Sequence, residues 1–384
     1  MRKGDANGLL SDSRIIRVIT YKGELYMKKK KLGLLTGTTL SAAAVLAACG
    51  GGGGGDESGG GGDGEETYEW TFVTEENEGQ VQYEYAQEFA SRMDEKTDGQ
   101  VTIEPVEFGG LGSEVDQVEQ LQQGAVEMAV VSPGFTGTMV EEGQVFSLQF
   151  LLPNDQEDVQ QVLNESEALN DTLAANYEEN DIMPLSFWSE GAMQWTGNKA
   201  IESPDDFNGF QMRTQNSPLL QQTYREYGAD PQVLSAGELY TSLDNGTVDG
   251  QENPLFFIEA SSYDEVQSHL MISNQNSYVA MTTVNPQFYN ELPDDLKETF
   301  DETVTEMQDW VYDEQVEQNE QARETMTSES DIEQVELSED QRAEFREVTL
   351  PMRDYYVEEV GGDAEEILTT LEGEIEEITG ESVE

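Results

Sequence analysis

The sequence predicts an α/β protein of two lobes, and three observations carry that prediction. Strands and helices alternate between Tyr68 and Val131, an order that predicts parallel strands joined by right-handed crossovers. A second series of strands and helices begins near Gly191. The segment Pro293–Ser328 repeats apolar residues with the period of one very long helix. About 320 residues outside the N-terminal region suit two domains that the chain crosses more than once.

Local signals mark each element of the first lobe. Tyr85, Phe89 and Met93 recur every four residues, which is the spacing of a buried helix face. Gly99 ends that helix, and a glycine-rich turn at 109–112 leads into the next one. The predicted strands are Tyr68–Thr74, Val101–Val106, Met128–Val131 and Met183–Trp188, and the predicted helices are Val81–Thr97, Ser113–Gln123 and most of Asp155–Asn180.

The second lobe is predicted by similar signals. Strands are expected at Met193–Thr196, around Arg213 between Gly209 and the turn that begins at Asn216, and at Val248–Asn253. Helices are expected at Pro218–Tyr227, from Ser235 to about Asn245 and over Glu265–Leu270, where the sole histidine, His269, lies. The strand Ser277–Val284 is expected to return to the first lobe. In the long helix, apolar residues form one stripe that is typical of a packing seam rather than a cofactor site; they are Leu296, Phe300, Val304, Met307 and Val311.

Arg213 is the central candidate for a binding residue. Phe210 and Met212 alternate with Gln211 and Arg213, so the arginine lies on a strand whose apolar side is buried. Ligands of open α/β folds collect at the ends of such strands. A guanidinium can hold a carboxylate through two parallel charge-assisted hydrogen bonds. We expect Arg213 to hold a carboxylate in a crevice that two lobes close; the alternative is a solvated arginine on an edge strand.

Charge excludes one class of partner. The chain has 80 acidic and 19 basic residues, and nine of the basic ones lie in the first 31 positions. The remainder has a formal net charge of −67, from 10 basic and 77 acidic residues, which would repel a nucleic acid. Such a charge destabilises a compact state unless salt screens it, and at molar salt the Debye length falls to roughly 3 Å. We therefore expect a high-salt, halophilic setting.

The first 66 residues are predicted to export and anchor the protein. Residues 1–48 form a signal region in which translation starts at Met27, followed by Lys28–Lys31 and a short apolar run. Cys49, the only cysteine, follows Leu46-Ala47-Ala48 in a pattern that resembles a lipobox. Glycine runs make residues 49–66 a flexible tether. We expect an extracytoplasmic protein held at the outer face of the cell membrane by a lipid on Cys49.

Residues that support catalysis are scarce. The chain has one histidine and one cysteine, too few to supply the histidine and cysteine ligands of a zinc site or a nucleophile with a histidine partner. It also has no glycine-rich phosphate-binding loop that contains a lysine. No calcium loop with spaced aspartates and a glycine is present either. In a chain this acidic, pairs of carboxylates say little about acid–base chemistry. We predict no enzymatic activity and no cofactor.

Several ordered motifs resemble one family. They are Gly-Gly-Leu-Gly at 109–112, the segment Leu121–Ala129, Pro204–Arg213, Glu238–Tyr240 and Asp249–Pro254. Together they resemble the DctP-type substrate-binding proteins of tripartite ATP-independent periplasmic (TRAP) transporters, over about Glu69 to Ile367. The resemblance implies a two-lobed, periplasmic-binding-protein-like fold in which crossing hinge strands and a long helix join lobes that close over a small organic acid.

The resemblance also implies roles. The family's arginine at the position of Arg213 holds the ligand carboxylate, and the asparagine at Asn253 assists it, although by spacing alone Asn253 is equally a turn residue before Pro254. Cargo would pass to DctQ-like and DctM-like membrane subunits, and an ion gradient would drive import. The remaining candidate ligand-binding residues are Asn77, Ser132, Phe135, Trp188, Gln215 and Tyr240, with core packing preferred for Trp188.

This chain departs from the family's pattern at two positions, and both departures narrow the class of ligand that we expect. The family often has a second arginine near Met193 and an aromatic near Ala236, and this chain has neither. A monocarboxylate therefore suits a single arginine better than a C4-dicarboxylate or a sialic acid does. Some relatives use a metal beside the ligand, for which Gln194 and Glu252 are the candidate ligands here.

The predicted boundaries follow from this scheme. Lobe I comprises residues 67–190 with 279–318, lobe II comprises 191–278 with 319–372, and residues 373–384 form an acidic tail. The alternative function is an ABC-type solute-binding lipoprotein or another surface-anchored binding module.

Overall fold

Two mixed β-sheets organise residues 67–383, the part of the chain that the computed structural model describes. The predicted signal region, Cys49 and the glycine tether lie outside these residues. Both sheets contain parallel and antiparallel pairs, and the chain passes between them more than once. The two-lobed α/β fold expected from the sequence is confirmed.

The first sheet has five strands in the order β2-β1-β3-β10-β4. Strand β1 pairs in parallel with β2 and β3, as the βαβαβ order requires, and β10 runs antiparallel to both β3 and β4. The strands are β1 (Tyr68–Val73), β2 (Val101–Val106), β3 (Met128–Val131), β4 (Met183–Ala192) and β10 (Ser277–Val284).

The second sheet has six strands in the order β11-β9-β5-β8-β6-β7. Strand β6, which carries Arg213, pairs in parallel with β7 and β8, whereas β5 runs antiparallel to β8 and β9. The strands are β5 (Gln194–Gly197), β6 (Gln211–Thr214), β7 (Asp230–Val233), β8 (Gly250–Asn253), β9 (His269–Ile272) and β11 (Glu333–Glu336).

Two of the places where the chain crosses between the sheets are neighbours. One crossing joins β4 to β5 at Ala192–Gln194, and the other joins β9 to β10 at Ser273–Asn276. Gln194 ties the crossings together, because its side-chain oxygen accepts from the backbone N–H groups of Ser273 (2.8 Å) and Asn274 (3.2 Å). The two crossing segments are thus bonded side by side, which is the arrangement expected of a hinge.

Helices fill the connections between strands. In chain order they are α1 (Val81–Lys96), α2 (Glu114–Gln122), α3 (Pro133–Thr136), α4 (Gln156–Glu165), α5 (Ala174–Glu178), α6 (Pro218–Glu226), α7 (Ala236–Asp244), α8 (Leu255–Ala260), α9 (Tyr263–Val266), α10 (Pro286–Glu291), α11 (Asp294–Glu329), α12 (Glu339–Thr349), α13 (Pro351–Val360) and α14 (Ala364–Thr379). Short 3₁₀ segments lie at Glu141–Ser147 and Pro204–Phe207, and a π-helical turn lies at Ala168–Leu173.

Helix α11 confirms the long helix expected from its apolar stripe. Its 36 residues span roughly 54 Å at 1.5 Å per residue. The stripe from Leu296 to Val311 is buried, and the helix packs on α1, α8 and β4. It leads from the first sheet to β11 at the edge of the second sheet.

Two sequence-based assignments are corrected here. Strand β4 does not end at Trp188 but continues to Ala192, because it pairs with β10 along its whole length. His269 does not lie on a helix: α9 ends at Val266, and His269 is the first residue of β9. The short strand β9 forms because it pairs with β5 on one side and β11 on the other. The imidazole contacts Ser268 and Glu333 and no candidate site residue.

Candidate ligand-binding site

Arg213 lies near the carboxyl end of β6 and is buried, with 2% of its surface exposed. The strand begins after Gly209, whose φ of +71° is left-handed, and it ends before Ser217, which caps α6 by accepting from Leu220 N–H. These two local signals place Arg213 one residue before the end of the strand. Its Nε donates to the carbonyl of Leu234 at 3.0 Å, which fixes the direction of the guanidinium.

The guanidinium of Arg213 has unused hydrogen-bonding capacity. Its Nη2 is buried and has no hydrogen-bond partner among the described residues. No described carboxylate lies within 4.0 Å of its nitrogens, although acidic residues are abundant. Leaving a buried charged donor unsatisfied costs more than the ~1–3 kcal/mol of a neutral group. An acceptor that enters from outside would remove this cost.

Glu252 of β8 is the acidic group whose charge Arg213 influences most directly. Burial raises the pKa of the Glu252 carboxyl, and hydrogen bonds from Tyr224 (2.5 Å) and Gln275 (2.8 Å) and the charge of Arg213 act in the opposite direction. Burial likewise raises the pKa of Tyr263, and Arg213 lowers it. Arg213 thus acts on the ionisation of both groups, yet no salt bridge within 4.0 Å joins it to Glu252.

A small cavity of about 30 Å³ lies between residues of the two sheets. Ser132, which follows β3, contributes from the first sheet, and Gln215 and Glu252 contribute from the second. The other lining residues are Pro133, Gly134, Phe146, Ser147, Met193, Leu220, Asn276, Ser277, Tyr278 and Val279. Arg213 is not among them, but Gln215 follows it by two residues, and Glu252 lies on β8, which pairs with the strand of Arg213. Three predicted site residues, Ser132, Gln215 and Glu252, are therefore brought together.

Direct contacts close the crevice around this cavity. A Cβ on Gly134 would lie 2.0 Å from the Gln215 side-chain oxygen, so only glycine permits this approach across the crevice. The hydroxyls of Ser147 and Ser217 are 2.9 Å apart, and the backbone N–H of Ala236 donates to Glu114 at 2.8 Å. These contacts link residues of the first sheet's connections to residues of the second sheet's connections, as in a closed binding protein.

Buried carboxyls on the first-sheet side are functional candidates that the sequence analysis missed. Glu75 accepts hydrogen bonds from the Ser132 hydroxyl and, at 3.1 Å, from the Ser132 backbone N–H. Burial raises the pKa of Glu75 to about 8, so this carboxyl is largely protonated at neutral pH. Because Ser132 lines the cavity, Glu75 places an acid directly behind its wall.

Glu76 and Glu190 form a second buried acidic feature. Burial raises the pKa of Glu76 to about 7, and burial together with the charge of Glu76 raises that of Glu190 well above its ordinary range. Gln82 connects them, because its backbone N–H donates to Glu76 and its amide donates to Glu190, each at 2.7 Å. Burial and the neighbouring carboxyl thus both disfavour the doubly charged form of this pair.

The remaining predicted residues lie in different surroundings. Asn253 ends β8 and is buried, and its amide donates to Gln251. Phe135 is buried in α3 beside the cavity residue Gly134. Asn77 and Tyr240 are exposed, Tyr240 by 39%. Trp188 is fully buried in the core: its ring stacks on Tyr85 at 5.0 Å, which leaves it no surface on the cavity.

The two candidate metal ligands are occupied by protein contacts. The side-chain oxygen of Gln194 accepts from Ser273 and Asn274, and its amide donates to Asn274 at 2.6 Å. Glu252 accepts from Tyr224 and Gln275. Within residues 67–383, no group of three or more His, Cys, Asp or Glu side chains is arranged to hold a metal ion.

Comparison with known proteins assigns the family. A sequence model of the family described as bacterial extracellular solute-binding protein, family 7 (DctP), matches residues 72–359. The ectoine-binding periplasmic protein TeaA of Halomonas elongata is 32% identical over 318 residues, which cover 82% of this chain and 92% of TeaA. This chain belongs to the DctP family. The C4-dicarboxylate-binding periplasmic protein DctP of Rhodobacter capsulatus is also 32% identical, over 72% of this chain and 83% of its own.

Solved structures of the DctP family share this fold. The structure of the TeaA protein of Halomonas elongata superposes with a TM-score of 0.78 at 30% identity, over 80% of this chain and 99% of that one. A TRAP solute-binding protein from Desulfovibrio salexigens with bound orotic acid gives 0.77 at 26% identity, over 82% and 100%. The protein is thus a substrate-binding protein of the TRAP type, not an enzyme. No helix in the described part combines the length and apolar character that a membrane span needs.

Proposed function

We propose that this DctP-family protein is an extracytoplasmic lipoprotein that captures a small organic acid, holds the acid's carboxylate with Arg213 and delivers it to a TRAP importer. The observation that carries the proposal is the state of the buried Arg213 guanidinium. Its Nε donates a hydrogen bond to the carbonyl of Leu234, and its Nη2 has no acceptor. A carboxylate oxygen would satisfy this donor with a charge-assisted hydrogen bond. In a closed crevice with little water, that bond would be strong.

The cellular setting of this function is inferred from sequence and family. The lipobox-like segment that ends at Cys49 and the glycine tether support attachment to the outer face of the cell membrane. Family membership supports transfer to DctQ-like and DctM-like membrane subunits. The net charge of the body supports operation at high salt, where screening also lets an anionic ligand approach a polyanionic protein.

Thermal-shift screening in molar salt tests the proposed function. A ligand that binds only the folded state stabilises the protein by mass action and so raises the melting temperature. At a free ligand concentration of 100 times the Kd, the gain in the free energy of unfolding is about 2.7 kcal/mol. We expect at least one carboxylate from a panel of keto acids, hydroxy acids, dicarboxylates, sugar acids and ectoines to raise the melting temperature in a saturable manner. If uncharged analogues such as the corresponding amides produce the same shifts, the carboxylate is not what the protein recognises.

One observation favours a zwitterionic ligand as a second candidate within this class. Arg213 has a donor without an acceptor two residues before the cavity residue Gln215, and the Glu75 carboxyl bonds to the cavity residue Ser132, so the surroundings of the cavity hold one group for an anion and one for a cationic N–H. Two relatives are described as ectoine-binding or ectoine/5-hydroxyectoine-binding proteins. Ectoine carries a carboxylate and a protonated amidine: the carboxylate matches Arg213 in charge, and the amidine would match Glu75 once that carboxyl gives up its proton.

The number of protons released on binding distinguishes a zwitterionic ligand from a simple monoanion. With its pKa raised to about 8, Glu75 is largely protonated at pH 7. A cationic group beside it would lower that pKa, so we expect a zwitterion to displace up to one proton per binding event, and a simple monoanion to displace none. Calorimetric titrations at pH 7 in buffers of different ionisation enthalpy measure this number. The Glu75→Gln variant should show no release; release that persists in this variant would assign the proton to another group.

A further inference from the structure

Helix α12 carries two of the ten basic residues that follow position 31. Arg342 and Arg346 are four residues apart and so lie on the same face of the helix. Burial lowers the pKa of Arg342; the charge of Glu339 raises it and the like charge of Arg346 lowers it. The two guanidinium groups are therefore close enough to repel each other, in a protein where carboxylates are plentiful.

The hydrogen bonds of this arginine pair are incomplete. Arg342 is 5% exposed, and one of its terminal nitrogens donates to the Asn154 side chain and, at 3.2 Å, to the Asn274 carbonyl. These bonds fix its guanidinium between two loops. Nε of Arg342 and Nε of Arg346 are both buried without a partner. Among residues 67–383, no carboxylate lies within 4.0 Å of either guanidinium, and the Arg346 side chain donates no hydrogen bond.

The ring of Phe150 lies close to both arginines. The carbon centres of the Arg342 and Arg346 guanidinium groups each lie 5.8 Å from the centre of its ring. Phe150 has a φ of +60°, a left-handed conformation that a bulky residue rarely adopts. Such strain persists only where the surroundings fix the residue, and it clusters at functional sites. Here this backbone conformation places the ring of Phe150 within cation–π distance of both guanidinium groups.

The arginine pair faces a cavity of about 270 Å³. Its wall includes Asn154, Phe150 and the segment after α14. Three acidic residues also line it, and none of them pairs with the arginines. Asp155 is exposed and caps α4 by accepting from the N–H groups of Glu157 and Asp158; Asp158 is half-buried and Glu381 is exposed. Capping leaves the negative charge of Asp155 in place, so an anion would be attracted where it lies closer to the two guanidinium groups than to these carboxylates.

We infer that Arg342 and Arg346 form a second anion site, separate from the Arg213 crevice, for a small oxyanion of the sulfate or phosphate type. Two adjacent guanidinium groups supply several donors to a tetrahedral oxyanion, and its charge removes their mutual repulsion. The volume of the cavity accommodates such an ion with part of its hydration shell. Arg342 is held in place before the ion arrives, so little ordering is needed to bind it.

The test compares Arg346→Gln with Arg225→Gln in the full-length chain. Arg225 is an exposed arginine on α6 that contacts Gln221, so its replacement removes the same charge at an unrelated place. Sulfate replaces chloride at constant ionic strength and constant protein concentration. We expect sulfate to raise the melting temperature of the wild type and of Arg225→Gln in a saturable manner, with an apparent affinity reduced at least tenfold in Arg346→Gln.

Crystals soaked in selenate locate the ion independently of any variant. Selenate has the shape and charge of sulfate, and selenium scatters anomalously. We expect an anomalous peak within hydrogen-bond distance of both guanidinium groups in the wild type and none there in Arg346→Gln. Equal sulfate responses in the two variants, or a wild-type selenate peak only at Arg213 or nowhere, would overturn the second site.

Discussion

Replacing Arg213 with glutamine is expected to abolish the carboxylate-induced rise in melting temperature. Removing one partner of a buried, hydrogen-bonded charge pair costs about 2–5 kcal/mol, which is roughly a 30-fold to several-thousand-fold loss of affinity. The stability of the ligand-free protein should change by less than about 1 kcal/mol, because the substitution removes one hydrogen bond to Leu234 and also one unsatisfied donor. Thermal shifts and titration calorimetry in molar salt measure both quantities.

The matched control for this prediction is Arg225→Gln. That variant changes the net charge by the same amount but leaves the crevice intact, so its ligand affinity should equal that of the wild type. Arg213→Lys keeps the charge but lacks the planar fork of donors, and we expect it to recover only part of the affinity. An Arg213→Gln protein that binds the carboxylate as tightly as Arg225→Gln would show that another group anchors the ligand.

Stability is expected to fall as the pH rises from about 4.5 to about 8. The pKa values of Glu75 and Glu76 are raised by burial to about 8 and about 7, and that of Glu190 is raised as well. Between the ordinary pKa near 4.5 and these values, the folded state holds more protons than the unfolded state. Each such group therefore removes up to about 1.4 kcal/mol per pH unit. Denaturant unfolding at several pH values measures the loss.

Two variants isolate the contribution of Glu75 to this pH dependence. Glutamine at position 75 resembles the protonated carboxyl and cannot ionise, so the slope of stability against pH should shrink by about one proton between pH 6 and 8. Glu78→Gln, an exposed substitution in the same loop, should leave the slope unchanged. Molar salt screens the surface carboxylates throughout. Identical slopes in the two variants would mean that Glu75 does not titrate in this range.

Local periodicity accounts for the parts of the fold that the sequence predicted. The apolar stripe from Leu296 to Val311 needs no tertiary information, and it predicted α11 within one residue at each end. The alternation around Arg213 likewise placed β6, and the glycine and proline boundaries on both sides are local signals. The short strand β11 has no such signal: Glu333–Glu336 is mostly polar, and it becomes a strand by pairing with β9.

A scarce residue type made part of the candidate site predictable from composition. Arg213 stood out because it is one of ten basic residues after position 31, and the structure places it in a buried position. Glu75, Glu76 and Glu190 could not be distinguished among 80 acidic residues, since their burial depends on how β1, α1 and β4 pack together. For Trp188 the sequence left two roles open, core packing and ligand contact. Its contacts with Tyr85 and Thr282 place it in the core.

The structure of the protein bound to the best ligand of the screen tests the central claim most directly. The expected result is a carboxylate oxygen within about 3 Å of Nη2 of Arg213, with the Nε bond to Leu234 retained. A bound ligand whose carboxylate contacts other donors, while Nη2 of Arg213 still lacks an acceptor, would contradict the account.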